Sequence, residues 1–254
     1  ASLKDRGYRV FPPEANISKE RNPLAWEFDH EFLDLIKGYN RLHETNRKSS
    51  MYSTFLAVKY LKANSIRGDF VECGVFWGRQ IMMMTLTLAM LSNCDQEIWL
   101  YDTFSGLTKP GEHDAFTFVG KDAGWVKDNW LAQNTEGHNN WCYAPLEEVM
   151  ANIEMTNYPG ERLHFVQGDV LETLPNDNHS QISLLRLDTD FYDSTKHELE
   201  TLYDLVVPGG IVIIDDYGAF SGAKKAVDEF LSVKEHVPFL IPINGTEVCF
   251  IKPR

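Results

Sequence analysis

Two apolar runs in this chain end abruptly in carboxylates. The stretch LLRLDTDFYDST, Leu184 to Thr195, carries Asp188, Asp190 and Asp193 close together, and GGIVIIDDYG runs from Ile211 to Ile214 straight into Asp215 and Asp216. If both runs are neighbouring strands of one sheet, Asp188, Asp215 and Asp216 meet at its edge, where like charges repel unless a cation neutralises them. Hard oxygen donors in an open, hydrated site suit Mg2+. Such an ion lowers the pKa of a hydroxyl bound to it, and Asp188 or Asp190 then stands ready to take the proton. The competing reading is helix capping. That is the expected role of Asp193 ahead of STKHELETL, and it is open to Asp215 and Asp216 ahead of a helix starting near Ser221.

Three earlier runs also end in acid. DFVECGVFWGRQ places Glu72 at a strand end and follows it with Gly74 and Gly78 in a turn leading to a helix. Glycines there allow close backbone approach to a ligand at the carboxyl edge of a sheet, where open α/β folds bind ligands. The E-x-G-x-x-x-G spacing departs from the dinucleotide fingerprint and leaves room for a nucleoside without a pyrophosphate cradle. EIWLYDTFSG ends in Asp102, placed to accept from two ribose hydroxyls, with Ser105 in the following turn as a further cofactor contact. LHFVQGDVLETL ends in Gly168 and Asp169, a carboxylate suited to an adenine amino group. Glycine turn, ribose acid and adenine acid, in that order, describe a pocket for S-adenosylmethionine.

These residues need a sheet to align them. From Asp69 onward short apolar runs alternate with helical patterns, which predicts a parallel sheet covered on both faces, an α/β fold. Seven such runs are present, and Asn244-Gly245 between the last two predicts a tight hairpin with an antiparallel final strand. Ahead of the sheet, helical spacing appears around Phe32 to Ile36 and again from Ser49, with Ser49 or Ser50 as the expected N-cap. Residues 1–48 read as an arm and helix, and 49–254 as the main domain. The stretch 103–145, with Trp125, Trp130 and Trp141, is far longer than the about 2–6 residues of an ordinary connection. It is expected to form a lid, mobile until an acceptor binds, or else a surface elaboration.

DFVECGVFWGR, LYDTFSGL, LLRLDTDFYDST and VPGGIVIIDDYG together resemble the macrocin O-methyltransferase family of sugar-modifying enzymes. The resemblance runs from about Ser49 to the carboxyl end and is most specific in the last two motifs. It implies a Rossmann-like class I methyltransferase fold, S-adenosylmethionine as donor, and Mg2+ held by Asp188, Asp215 and Asp216. Glu72, Gly74, Asp102 and Asp169 fall at the family's cofactor positions. A homo-oligomer is implied too, with the amino-terminal arm contributing to contacts or closure. Residues before Ser49 and the 103–145 insertion depart from the family pattern, and these would shape the acceptor pocket. Catechol-type methyltransferases place a lysine base shortly after the fourth-strand acid; here DTDFYDST has none, and Lys196 lies too far along.

The composition fits this reading. A formal net charge of −13 over 254 residues disfavours nucleic acid and anionic membranes as partners. Cys73, Cys94, Cys142 and Cys249 show no metal-type spacing; Cys73 and Cys249 sit in apolar runs, as buried free thiols of a cytoplasmic protein do. No run approaches the ~18–20 apolar residues of a membrane span, and the amino end is no signal peptide. The expected activity is Mg2+-dependent methyl transfer to a hydroxyl of a small molecule, a natural-product sugar first and a phenol or catechol second. A metal-dependent glycosyltransferase would use Asp188-Thr189-Asp190 as its D-x-D, but leaves Glu72, Asp102 and the Asp215-Asp216 pair without a role. A non-catalytic binding protein on the same scaffold would be expected to lack some of the metal ligands.

Overall fold

The computed structural model describes residues 24–175 and 178–253. The arm before residue 24 and the expectations placed on it lie outside the described residues. The chain opens with α1 (His30–Lys37), the single turn α2 (Asn40–His43) and α3 (Lys48–Ala63). Then come β1 (Asp69–Cys73), α4 (Arg79–Met90) and β2 (Ile98–Asp102). Helices α5 (Ala123–Gln133) and α6 (Leu146–Glu154) precede β3 (Leu163–Gln167) and the short α7 (Val170–Thr173). The remainder is β4 (Ile182–Leu187), α8 (Tyr192–Leu202), β5 (Val206–Ile214), α9 (Ser221–Ser232), β6 (Ile241–Pro242) and β7 (Val248–Ile251).

The seven strands form one sheet in the order β3-β2-β1-β4-β5-β7-β6. Strands β1 to β5 are mutually parallel, while β7 runs antiparallel to β5 and to β6, as the sequence predicts. Alternate side chains feed two cores. Phe70, Leu100, Leu184 and Ile213 face Phe32, Phe55 and Met82 of α1, α3 and α4. On the other side Val71, Leu185 and Val212 face Leu199, Val227 and Leu231 of α8 and α9. Burial on both faces explains why these strands read as continuous apolar runs. Phe32, Ile36 and Leu42, from the expected arm-and-helix part, share the first of these cores.

Local details depart from the sequence reading. Ser49 and Ser50 lie inside α3, whose N-cap is Arg47; the Ser50 hydroxyl is buried and donates to Glu247, so packing rather than capping places it. Asp193 sits in the first turn of α8 without capping it, and the N-cap position belongs to Phe191. The open Tyr192 N–H is taken instead by Asp114 Oδ1 at 2.8 Å, from the insertion. The hairpin joining β6 to β7 is a longer turn over 243–247, in which Asn244 Oδ1 accepts from Thr246 N at 2.8 Å and Glu247 N at 3.0 Å. Cys73 is buried, Cys249 only partly, and both thiols are free. Among the described residues no helix is long and apolar enough to cross a membrane.

The insertion has its own architecture. Asp122 caps α5 by accepting from Trp125 N at 2.8 Å, and Val126 packs in a third core with Phe191, Phe220 and Ala223, against which Phe116 and Trp141 lie. Phe116 pairs with Phe220 in an isolated bridge, and Ser221 N donates to Ala115 O at 2.9 Å. Gly222 makes room for this seam, since a Cβ there would lie 1.8 Å from Asp114 Oδ1. These bonds hold the segment to the start of α9.

Candidate active site

Every strand of the parallel set points its carboxyl end at one cleft. Asp188, Asp215 and Asp216, each just past a strand end, offer oxygens that all lie within 4.8 Å of one another. Parallel pairing of β4 with β5, Leu187 against Ile214, is what brings them level. Capping does not account for the pair after β5: α9 has Phe220 as its N-cap and no side-chain cap. Asp216 Oδ2 instead accepts from the N–H of Asp190 at 3.1 Å. Asp190 also lines the cleft, in a left-handed conformation with φ of 67°, a strain of the kind that clusters at functional sites.

Behind the acids lies a residue that motif reading passed over. Arg186, the penultimate residue of β4, is 1% exposed. Its Nε donates to Glu72 at 3.1 Å, Nη1 to Glu247 at 3.1 Å, and Nη2 to both Asp188, at 2.8 Å, and Asp215. Arg47 adds a second cation, 3.4 Å from Asp215. A buried guanidinium needs such partners, since its desolvation cost is met only by close, hydrogen-bonded counter-charges. Even so, Glu72, Asp188, Asp190, Asp215, Asp216 and Glu247 outnumber the two arginines paired with them. The imbalance appears in the pKa values. Burial, and then Asp215, push Asp188 up to about 7. Burial and then Asp190 push Asp216 well above the usual carboxylate range. Burial would raise Asp215 too, but Arg186, Glu247 and Arg47 outweigh it and hold that carboxyl below its ordinary value. Burial pushes Glu247, bonded to Asp215, up to about 8. Excess negative charge on hard oxygens at close quarters fits a small divalent cation.

Of the residues read as cofactor contacts, Glu72, Gly74, Asp102 and Asp169 line this cleft. Asp102 is busier than expected. Its Oδ2 accepts from Val75 N at 2.6 Å and Phe76 N at 3.0 Å, and Oδ1 from Phe104 N at 2.7 Å. It therefore staples the glycine-bearing turn as well as facing the cleft. Burial raises its pKa, against those three N–H groups. Asp169 caps α7, accepting from Leu171 N at 3.0 Å. Gly74, at φ of 82°, is required by Asp188, whose carbonyl oxygen would be 1.8 Å from a Cβ; the close approach it permits is first of all between β1 and β4. Gly78 and Ser105 do not line the cleft. A Cβ on Gly78 would press Ile153 of α6 at 3.2 Å, and Ser105 belongs to a turn in which its N–H donates to Thr103 Oγ1 and its carbonyl accepts from Asn139 N.

A profile of the macrocin O-methyltransferase family (TylF) matches residues 48–252. The chain belongs to this family. Among curated relatives, the 8-demethyl-8-(2,3-dimethoxy-alpha-L-rhamnosyl)-tetracenomycin-C 4'-O-methyltransferase of Streptomyces olivaceus is 32% identical over 173 residues, 68% of this chain and 61% of that protein. The chain thus spans less than two thirds of that relative's length. Demethyldecarbamoylnovobiocin O-methyltransferase of Streptomyces niveus is 31% identical over 191 residues, 75% of this chain and 68% of the relative. The O-methyltransferase NovP superposes with a TM-score of 0.68 at 28% identity, over 81% of this chain and 80% of that one. Calicheamicin methyltransferase CalS11, at 17% identity, shares the fold with a TM-score of 0.64 over 92% of this chain and 98% of that one.

As a macrocin O-methyltransferase family member, the chain has the Rossmann-like sheet of its neighbours. What the motifs left out is the set of charges around the acids: Arg186, Arg47 and Glu247, which bond to them or to one another, and Asp114, which closes the head of α8 nearby. A signal for Arg186 was present, because one charged residue inside LLRLD, on a strand with both neighbours apolar, must be paired when buried. For Asp114 and Glu247 no local signal exists, as their partners lie 78 and 61 residues away.

Proposed function

We propose that this chain is a Mg2+-dependent O-methyltransferase that moves the methyl group of S-adenosylmethionine to a hydroxyl of a small molecule, a sugar on a natural product in the first instance. The observation that carries the reading is the triad Asp188, Asp215 and Asp216, clustered within 4.8 Å in the same cleft as Glu72, Asp102 and Asp169. Its relatives' names, a rhamnosyl-tetracenomycin methyltransferase among them, support a glycoside acceptor.

The triad would hold the ion, and Mg2+ bound there would supply a Lewis acid that makes an acceptor hydroxyl easier to ionise. Asp102 and Asp169 hold the nucleoside of the donor. Arg186 keeps Asp188 and Asp215 in register from behind, so the two do not drift apart when their charge is neutralised. Asp188, committed to the ion, leaves Asp190 to accept the hydroxyl proton. Burial, then Asp188 and Asp215, raise its carboxyl well above the ordinary range, as suits a base. The wall formed by Leu107, Thr108 and Cys142 contributes to the acceptor side of the cleft. No lysine lines it among the described residues, so a lysine-assisted catechol mechanism has less support than a carboxylate base. A homo-oligomer is part of the proposal: edge strand β6 carries Ile241 at 44% exposure, close to Phe239 at 83%, an apolar edge that a second copy would cover.

The test is methyl transfer from labelled S-adenosylmethionine to a panel of glycosides and catechols, before and after exhaustive chelation. Transfer to a glycoside that stops on chelation and returns with Mg2+, while S-adenosylhomocysteine still binds, is the expected result. Full turnover in the chelated enzyme would remove the metal from the mechanism.

A further inference from the structure

Asp215 is approached by two arginines that differ in their freedom to move. Its Oδ1 accepts from Arg186 Nη2, and Arg47 Nη1 lies 3.4 Å from its Oδ2. An ion shared with Asp188 and Asp216 needs an oxygen of this carboxylate. Arg186 cannot give one up, because it is buried and tied to Glu72, Asp188 and Glu247 as well. Arg47 can. Its side chain is 48% exposed and its reach to Asp215 is long. Its guanidinium has no other hydrogen bond or ion pair among the described residues.

The backbone at this position is fixed where the side chain is not. Arg47 is the N-cap residue of α3. Its N–H donates to Thr45 Oγ1 at 3.2 Å, and its carbonyl accepts from Met51 N at 3.1 Å. The guanidinium can therefore turn away along the cleft wall, which it lines, without disturbing the helix. All three acids of the triad act on it. Burial would lower its pKa, but Asp215, then Asp188, Glu247 and Asp216, outweigh that and hold it above its ordinary value. A doubly charged ion bound to the same acids would set repulsion against that attraction at close range.

We propose that Arg47 and the divalent cation are alternative partners of Asp215 Oδ2, so that the ion enters by displacing the guanidinium. The inference rests on the metal reading above. Arg186 keeps its place through the exchange, while Arg47 acts as a built-in competitor that sets how tightly the ion is held. Ion entry then frees a cationic side chain at the cleft wall.

Two measurements test this, with Mn2+ as the probe ion, since carboxylate oxygens suit it. In calorimetry Arg47→Gln should bind Mn2+ about five- to thirtyfold more tightly than wild type, the effect of removing one partly screened charge beside the ion. Arg47→Lys, which keeps the charge, should stay closer to wild type. Loss of charge tightens binding even without displacement, so the second measurement follows the side chain itself. Phenylglyoxal, which attacks free guanidinium groups, should modify Arg47 of the wild-type protein several times faster once Mn2+ is bound. Peptide masses report this, and exposed Arg67 should keep its rate. Unchanged or slower modification of Arg47, or an Arg47→Gln protein that binds Mn2+ no more tightly, overturns the displacement. A wild-type protein that binds no Mn2+ overturns the metal reading itself, and this inference with it.

Discussion

Because Asp102 already accepts N–H groups from Val75, Phe76 and Phe104, a ribose hydroxyl bound there as proposed would share its oxygens with the glycine-bearing turn. Removing the carboxylate would then take away the proposed ligand contact and the observed loop staple together. Asp102→Ala is expected to weaken S-adenosylhomocysteine about ten- to a hundredfold, from charge-assisted bonds worth about 1.5–3 kcal/mol. Amide exchange at Val75 and Phe76 should speed up in the ligand-free protein. Calorimetry on the folded variant decides the first point, and unchanged affinity would withdraw the ribose assignment while leaving the staple. The same carboxylate shows what residue-level reading can reach. Its type and its place at a strand end were legible; its hydrogen bonds to a turn 26 and 27 residues earlier were not.

At the level of elements, the insertion and the helix starts form one seam. Asp114 supplies the acceptor that Tyr192 N lacks at the head of α8, and it passes directly over Gly222 in α9. Asp193, the nearer acid, stays in the first turn of α8, where it favours the helix dipole without closing the end. Local sequence named Asp193 because capping rules weigh neighbours in the chain, whereas the fold chose a distant, buried partner, Asp114. Gly222→Ala should push Asp114 aside and leave the Tyr192 N–H unsatisfied, at a cost of about 1–3 kcal/mol. Hydrogen exchange should then rise together at 111–118 and at the head of α8. Protection that stays unchanged at α8 would mean that the insertion is not what closes that helix.

For the molecule as a whole, the acid cluster gathers buried and partly buried like charges, a source of instability that the proposed cation would relieve. Mg2+ should raise the Tm of the wild-type protein, by mass action on the folded state. Asp216→Asn, which keeps shape but removes a charge facing Asp190 and Asp215, should raise the metal-free Tm and flatten the response to Mg2+. A gain of about 1 kcal/mol corresponds to roughly 2–4 °C at this size; a lower metal-free Tm would show that the charge is needed for the fold. Strand alternation and the triad were readable because each depends on residues close in sequence or on strand ends that a parallel sheet must align. The pairing of the counter-charges was not, because Arg47, Arg186 and Glu247 come from parts of the chain far apart in sequence. That dispersion bears on how the chain acquires its fold. Central strand β4 cannot bury Arg186 comfortably until β1 has brought Glu72, β5 has brought Asp215, and the final strand region has brought Glu247. A partly synthesised chain holding β1 to β5 would thus carry a guanidinium still short of one partner. With Glu72, Asp188 and Asp215 already present, only the Glu247 partner waits on the last segment of the chain, so truncation before β6 would leave Arg186 with three of its four carboxylates.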